Sequence, residues 1–383
     1  MFAHTIRRFM PVLLTIVILA ACGSPAGETG GTSGNQASSA PAASTAASPT
    51  TESSPAASVE ASAAASPEAA SAASGGELTI YSGRNEELIG ALIKQYEAQS
   101  GAKVNVKYGD TAELAATILE EGENSPADVF FAQDAGALGA LAKEDRLATL
   151  PDELLNQVNE RFRSPEGEWV GVSGRARVVV FNTKTLTETD LPETIFGFTD
   201  PKWKGRLGWA PTNGSFQAFV TALRTLQGED KAREWLEGIK ANEPKVYDNN
   251  TAVVKAVGAG EIDAGFVNHY YLFRQIKEQG EGFAARNYFL KNGDPGALVN
   301  VAGAGVLKRS KNAAAGEKFI SFLLSAEAQQ YFSAQTYEYP LIEGVEPSAS
   351  LPPLSTIQTP QLDLSKLEDL QGTLKLLQDV GIL

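Results

Sequence analysis

From residue 77 onward, short apolar runs alternate with longer stretches whose apolar positions recur at helical spacing. Residues 77–81 read as a strand, and Leu88, Ile89, Leu92, Ile93 and Tyr96 form the stripe of a following helix. A strand at 104–108 and a helix at 112–121, with Leu114, Ile118 and Leu119 inward, repeat the pattern. The apolar strand 128–131 leads into a loop and helix that begin at Gln133. Further strands are predicted at 178–181, 207–209, 264–267 and 298–301. Helices are predicted on the stripe Phe216, Phe219, Val220, Leu223 and Leu226, and on Val253, Val254 and Val257. Others are predicted at 313–324, 326–335 and 366–380, with a turn at 338–341. Such alternation predicts an α/β protein with a largely parallel sheet, whose ligand sits outside the carboxyl ends of the strands. The loops 82–85 and 132–134 are cleft candidates on that ground.

Upstream of residue 77 the pattern changes. Arg7 and Arg8 precede an apolar run, 11–21, interrupted only by Thr15. It is shorter than the ~20 helical residues that span a bilayer and fits the apolar segment of a secretory signal peptide. The run ends Leu19-Ala20-Ala21-Cys22-Gly23, like the site at which a bacterial lipoprotein is cleaved and its cysteine lipidated. Residues 1–21 are therefore expected to be a lipoprotein signal peptide. Cys22 is then the anchor, at the outer face of the cytoplasmic membrane. As the only cysteine, it leaves no disulfide within the chain. Residues 22–76 are rich in Ala, Ser, Thr, Pro and Gly, without Lys, Arg or aromatics, and are expected to form a disordered tether.

Composition removes several classes of function. The formal charge is −14, and cleavage would remove two arginines and no acid. Nucleic-acid binding, which needs a clustered basic footprint, is not expected. Histidine occurs only at His4 and His269, too few for a multi-histidine zinc site, and a histidine-dependent triad would hang on His269 alone. Metal chemistry would have to rest on oxygen donors. No spacing singles out a catalytic carboxylate pair, and no enzymatic activity is expected.

Three stretches carry candidate chemistry. The strand 264–267 runs into Asn268-His269-Tyr270-Tyr271-Leu272-Phe273. Adjacent tyrosines at a strand-to-helix junction can offer two hard phenolate oxygens to a ferric ion, or pack as core with each hydroxyl hydrogen-bonded. Arg175 and Arg177 feed a buried strand, and each needs an anionic partner, either a carboxylate of the chain or a bound anion. Thr212-Asn213-Gly214-Ser215 opens a helix, where free backbone N–H groups can hold an anion or simply be capped.

The motifs Tyr81-Ser82-Gly83-Arg84, Ser125-Pro126-Ala127-Asp128, Ser173-Gly174-Arg175-Ala176-Arg177, Pro211-Thr212-Asn213-Gly214-Ser215, Asn268-His269-Tyr270-Tyr271 and Glu338-Tyr339-Pro340-Leu341 follow one another in this order. Through them the chain from 77 to 383 resembles the ferric-ion-binding proteins of bacterial iron ABC importers. The resemblance implies a type II periplasmic-binding-protein fold, two α/β lobes joined by hinge strands with the ligand cleft between. Residues 77–175 plus about 300–350 would form the first lobe, and 176–299 plus about 351–383 the second.

The same resemblance implies Tyr270 and Tyr271 as the ferric ligands. A synergistic carbonate or phosphate would sit on Arg175, with Arg177 as its rival, or among Asn213, Gly214, Ser215, Asn250 and Asn268. Where the best-known subgroup has a histidine and a glutamate ligand, Asn85 and Gln133 stand here. A shell of two tyrosines and an anion is therefore expected, with Arg84, Asn85, Glu86 and Gln133 as first-lobe cleft positions. His269 is expected beside the metal, in a supporting or structural place. The implied protein is a monomer that delivers iron to an ABC permease and its ATPase. The alternative is a type II protein that binds a small anion, such as phosphate or a carboxylate, without metal.

Overall fold

The computed structural model describes residues 76–383; Cys22, the expected signal peptide and nearly all of the expected tether lie outside the described residues. Ten strands form one sheet: β1 (Glu77–Ser82), β2 (Lys103–Tyr108), β3 (Val129–Ala132), β4 (Val170–Asn182), β5 (Leu207–Trp209), β6 (Lys245–Val246), β7 (Ala264–Asn268), β8 (Ala285–Tyr288), β9 (Val299–Val306) and β10 (Tyr339–Pro340). Their order is β2-β1-β3-β9-β4-β7-β5-β6, with β8 and β10 also pairing with β4. The flanks are parallel: β2-β1-β3 on one side and β7-β5-β6 on the other. Between them β9 and β4 run antiparallel, so the sheet is mixed where a largely parallel one was expected. The reason is the crossing itself, since a strand that passes from one lobe to the other and a strand that returns must run in opposite directions.

Strand β4 is the spine, and all of its residues are buried. Its first half pairs with β9 as far as Ala176, opposite Val299, and from Arg177, opposite Asn268, it pairs with β7. The handover falls between the two arginines, which share one face because side chains alternate along a strand. Around β1, β2, β3 and β9 the helices Glu86–Ser100, Thr111–Glu121, Ala135–Lys143 and Ala313–Leu323 bury one core. The far half of β4 with β5 and β7 carries two more, one on each face. Three of the four tryptophans and the helices Gly214–Gln227 and Glu229–Ala241 lie in one of these. The helix 229–241 was absent from the sequence reading, although its Ala232, Trp235, Leu236 and Ile239 keep helical spacing.

The C-terminal stretch is divided between the cores. Leu351, Ile357, Leu364 and Leu367 belong to the first, and Leu376, Leu377 and Val380 to the second. The helix expected over 366–380 is shorter, Leu370–Asp379, because Asp369 caps it by accepting a hydrogen bond from the Gly372 N–H at 3.0 Å. Before it, Leu364–Glu368 is a 3-10 turn. The expected turn at 338–341 contains β10, which lies antiparallel on β4 opposite Ser173 and Gly174. Among the described residues no helix is long and apolar enough to cross a membrane.

Candidate functional site

Loops at the carboxyl ends of strands from both lobes meet over the sheet, as expected for an α/β crevice. They line a cleft of about 1110 Å³ whose wall includes Asn85 and Gln133 from the first lobe and Asn213, Gly214, Ser215 and Tyr271 from the second. Thr111, Asn249, Thr251, Lys255 and Arg274, which the sequence did not single out, stand in the same wall. Arg84, Arg175, Arg177, Asn268 and Tyr270 are buried residues outside that lining. Glu86, the first residue of the helix Glu86–Ser100, is exposed and is not part of the cleft wall, whereas its neighbours Asn85 and Glu87 are.

Strand β7 ends at Asn268, and the helix Tyr270–Gln279 starts two residues later. The tight junction stacks the tyrosine rings, with centroids 4.2 Å apart and planes 28° apart. Tyr271 faces the cleft, whereas Tyr270 is 1% exposed and its hydroxyl has no hydrogen-bond partner. A satisfied core tyrosine would have one. Burial pushes the Tyr270 phenol well above its usual range; Tyr271 adds to this, Arg175 opposes it, Glu338 adds and Arg84 opposes.

His269 is wholly buried and structural. Its Nδ1 accepts from the Ala176 N–H at 3.1 Å, and its Nε2–H donates to the Tyr337 carbonyl at 2.8 Å. Burial lowers its pKa to about 4, so the ring is neutral. Both ring nitrogens are committed to backbone.

The three arginines differ. Arg84 has a carboxylate: its Nη2 donates to both oxygens of Glu338, at 2.7 and 2.8 Å, and its Nη1 donates to Gln133 Oε1 at 2.8 Å. Glu338 also accepts from Ser173 Oγ at 3.0 Å and Thr336 Oγ1 at 3.2 Å. Arg175 donates through Nη2 to the carbonyls of Gln133 and Val301, and its Nε and Nη1 have no partner. Arg177 donates to Asn268 Oδ1 at 3.2 Å and the Phe266 carbonyl at 2.9 Å, beside the rings of Phe216 and Phe219. Neither Arg175 nor Arg177 has a carboxylate within salt-bridge distance among the described residues, so of the two partners open to them the chain's own carboxylates are not used. Burial pushes the Arg177 guanidinium down to about 9, against the opposing pull of Tyr271 and Tyr270.

Across the cleft, Asn213 caps the helix Gly214–Gln227. Its Oδ1 accepts from the Ser215 N–H at 3.1 Å, from Ser215 Oγ and from Asn250 Nδ2 at 3.2 Å. The capping alternative for this stretch is thus realised, while Asn250 Oδ1 is left without a partner. Glu338, which the sequence placed only in a turn, is the carboxylate that Arg84 requires. The signal was present, because Arg84 follows an apolar strand and a buried guanidinium calls for an anion. Among the described residues no group of three or more His, Cys, Asp or Glu side chains could hold a metal ion.

A chain with this crevice and these hinge strands has the make-up of a solute-binding protein, and the comparisons agree. Residues 124–364 match the family model described as bacterial extracellular solute-binding protein. The major ferric iron-binding protein of Neisseria meningitidis serogroup B is 36% identical over 309 residues, covering 80% of this chain and 93% of that protein. Iron-bound HitA from Pseudomonas aeruginosa superposes with a TM-score of 0.76 at 37% identity, covering 80% of this chain and 99% of the other. The Trichodesmium protein solved with iron and citrate gives 0.70 at 32%, covering 80% and 99%. The chain belongs to the bacterial extracellular solute-binding proteins, within the branch of the ferric-ion-binding proteins. These relatives are binding proteins, not enzymes.

Proposed function

We propose that this protein captures ferric ion outside the cytoplasm and delivers it to the permease and ATPase of an ABC importer. The observation that carries the reading is the buried, unpartnered Tyr270 hydroxyl stacked on the cleft-facing Tyr271 and influenced by Arg175, whose Nε and Nη1 are free. Two phenolates give hard anionic oxygens to a hard trivalent ion, and the ion itself drives their ionisation. A carbonate or phosphate on Arg175 would complete the shell, and a planar guanidinium edge suits either. Arg177 is committed to Asn268 and Phe266, which favours Arg175 for that place. Asn213, Gly214, Ser215, Asn250 and Asn268 would border the ligand from the second lobe, with Asn85 and Gln133 opposite.

Residues 1–21 act in this reading as a lipoprotein signal, Cys22 as the lipid anchor and 22–76 as the tether. Converting Cys22 to Ser should then release the protein from the membrane fraction. The metal reading is tested by adding ferric salt with bicarbonate to the purified protein. A visible tyrosinate-to-iron band is expected in the wild type and is lost or strongly shifted in both Tyr270→Phe and Tyr271→Phe. No colour in the wild type would leave the second reading, a metal-free small-anion receptor. That reading is favoured by Arg175 and Arg177 having no carboxylate partner among the described residues.

A further inference from the structure

Tyr337 has a left-handed backbone, φ 57° and ψ 29°, directly after the single π turn Phe332–Thr336. Among the described residues it is the one aromatic side chain at positive φ. That conformation is disfavoured for a bulky residue and persists only where its surroundings hold it. Two contacts hold Tyr337, and both come from the segment that carries the tyrosine pair. Its carbonyl accepts from His269 Nε2–H at 2.8 Å, one residue before Tyr270. Its ring stacks on Phe273, two residues after Tyr271, with centroids 5.7 Å apart and planes 28° apart. The next residues strengthen the attachment, since Glu338 pairs with Arg84 and the Tyr339 ring lies 4.8 Å from that of His269. Through β10 this stretch is paired to the first half of β4, whereas β7, which leads into the helix Tyr270–Gln279, is paired to the second half. The two contacts therefore join the lobes at the tyrosine pair.

Glycine would adopt this backbone freely and still offer its carbonyl to His269. What glycine lacks is the ring, which stands in the cleft wall together with Tyr271. We propose that Tyr337 is a positioning residue for iron capture, whose ring braces the start of the helix Tyr270–Gln279 from the first lobe and so fixes the direction in which the tyrosine pair presents its oxygens. This role rests on the ferric reading above and extends it to a side chain that acts through Phe273. Two adjacent phenols on one short junction keep a common ion only while that junction keeps its orientation. A helix start released on its first-lobe side would let the ion go sooner.

Wild type is compared with Tyr337→Gly, Tyr337→Phe and Phe273→Ala. Each protein is loaded with ferric salt and bicarbonate, and decay of the visible band in excess citrate gives the rate of iron loss. Removal of one stacked aromatic pair is expected to speed the decay about two- to tenfold in Tyr337→Gly and in Phe273→Ala. Tyr337→Phe keeps the ring and should keep the wild-type rate. The double variant should lose iron no faster than either single one, which a general loss of stability would not produce. A wild-type rate in Tyr337→Gly would overturn the proposal, and Phe273→Ala alone decides if the glycine variant does not fold. Faster loss in Tyr337→Phe would move the effect to the hydroxyl and overturn the brace as well. Amide exchange of the metal-free proteins over the helix Tyr270–Gln279 reads the brace without iron, and should be faster in Tyr337→Gly than in wild type or Tyr337→Phe. Absence of an iron band in the wild type would instead defeat the ferric reading, and the exchange comparison would still decide whether Tyr337 holds the helix.

Discussion

Tyr270 shows at the scale of one residue how function and stability pull apart. A buried hydroxyl without a partner costs roughly 1–3 kcal/mol of desolvation. Tyr270→Phe should therefore stabilise the metal-free protein, by about 1 kcal/mol in urea unfolding, while removing the iron band. A destabilised phenylalanine variant would mean that the hydroxyl is held by a structural partner. His269 makes an opposite statement about its own neutrality. Its folded pKa, about 4, lies below the ordinary 6.5 because burial disfavours the charged ring. The associated stability is complete above pH 6.5 and is lost as pH falls through 4. The shift is worth on the order of 3 kcal/mol. Denaturation of the metal-free protein at pH 7 and pH 4.5 should show a steeper loss in wild type than in His269→Asn.

Among the elements, the C-terminal stretch is held closely against two helices. The 3-10 turn Leu364–Glu368 lies against the helix Ala135–Lys143, with Lys143 Nζ 2.8 Å from Glu368 Oε1. A Cβ at Gly139 would fall 2.5 Å from the Ser365 carbonyl oxygen, and one at Gly136 would fall 2.4 Å from that of Leu367. The glycines are there for approach, not for a turn. Gly139→Ala should cost roughly 1–3 kcal/mol by overpacking, read as a lower melting temperature and faster amide exchange in 364–368. A few residues on, Arg224 holds Asp369 Oδ2 at 2.9 Å and Thr373 Oγ1 at 3.0 Å, so the next helix is fastened to Gly214–Gln227. Helical spacing in 366–380 anticipated a single rod. It did not reveal that Asp369 parts the two cores, because the spacing of apolar residues says which face is buried and not against what.

The described residues form two lobes that share β4 and β9, with the cleft between their strand ends. Arg274 in the second lobe stands 3.8 Å from Glu87 in the first, and Phe273 stacks on Tyr337 at 5.7 Å. Both lobes are continuous with β4 and β9, so relative motion of the lobes about these two strands is the expected response to a ligand. Small-angle scattering should record a smaller radius of gyration when ferric salt and bicarbonate are added together. Identical curves would place capture in a lobe arrangement that does not change.

Local pattern was enough for the alternation of strands and helices, the tyrosine pair at a strand-to-helix junction and the exposed helix start at Asn213, because these depend on spacing along the backbone. It was also enough to require anions for the arginines, because burying a guanidinium has the same cost in any fold. The choice of anion belonged to the tertiary structure. Glu338 lies 254 residues from Arg84 and satisfies it, while Arg175 and Arg177, two residues apart on β4, go without. Periodicity cannot distinguish these arginines, since a charge's partner depends on which distant segments the sheet order brings alongside it. That order, with β9 and β4 inserted antiparallel between two parallel flanks, is decided only when the cores of both lobes are packed.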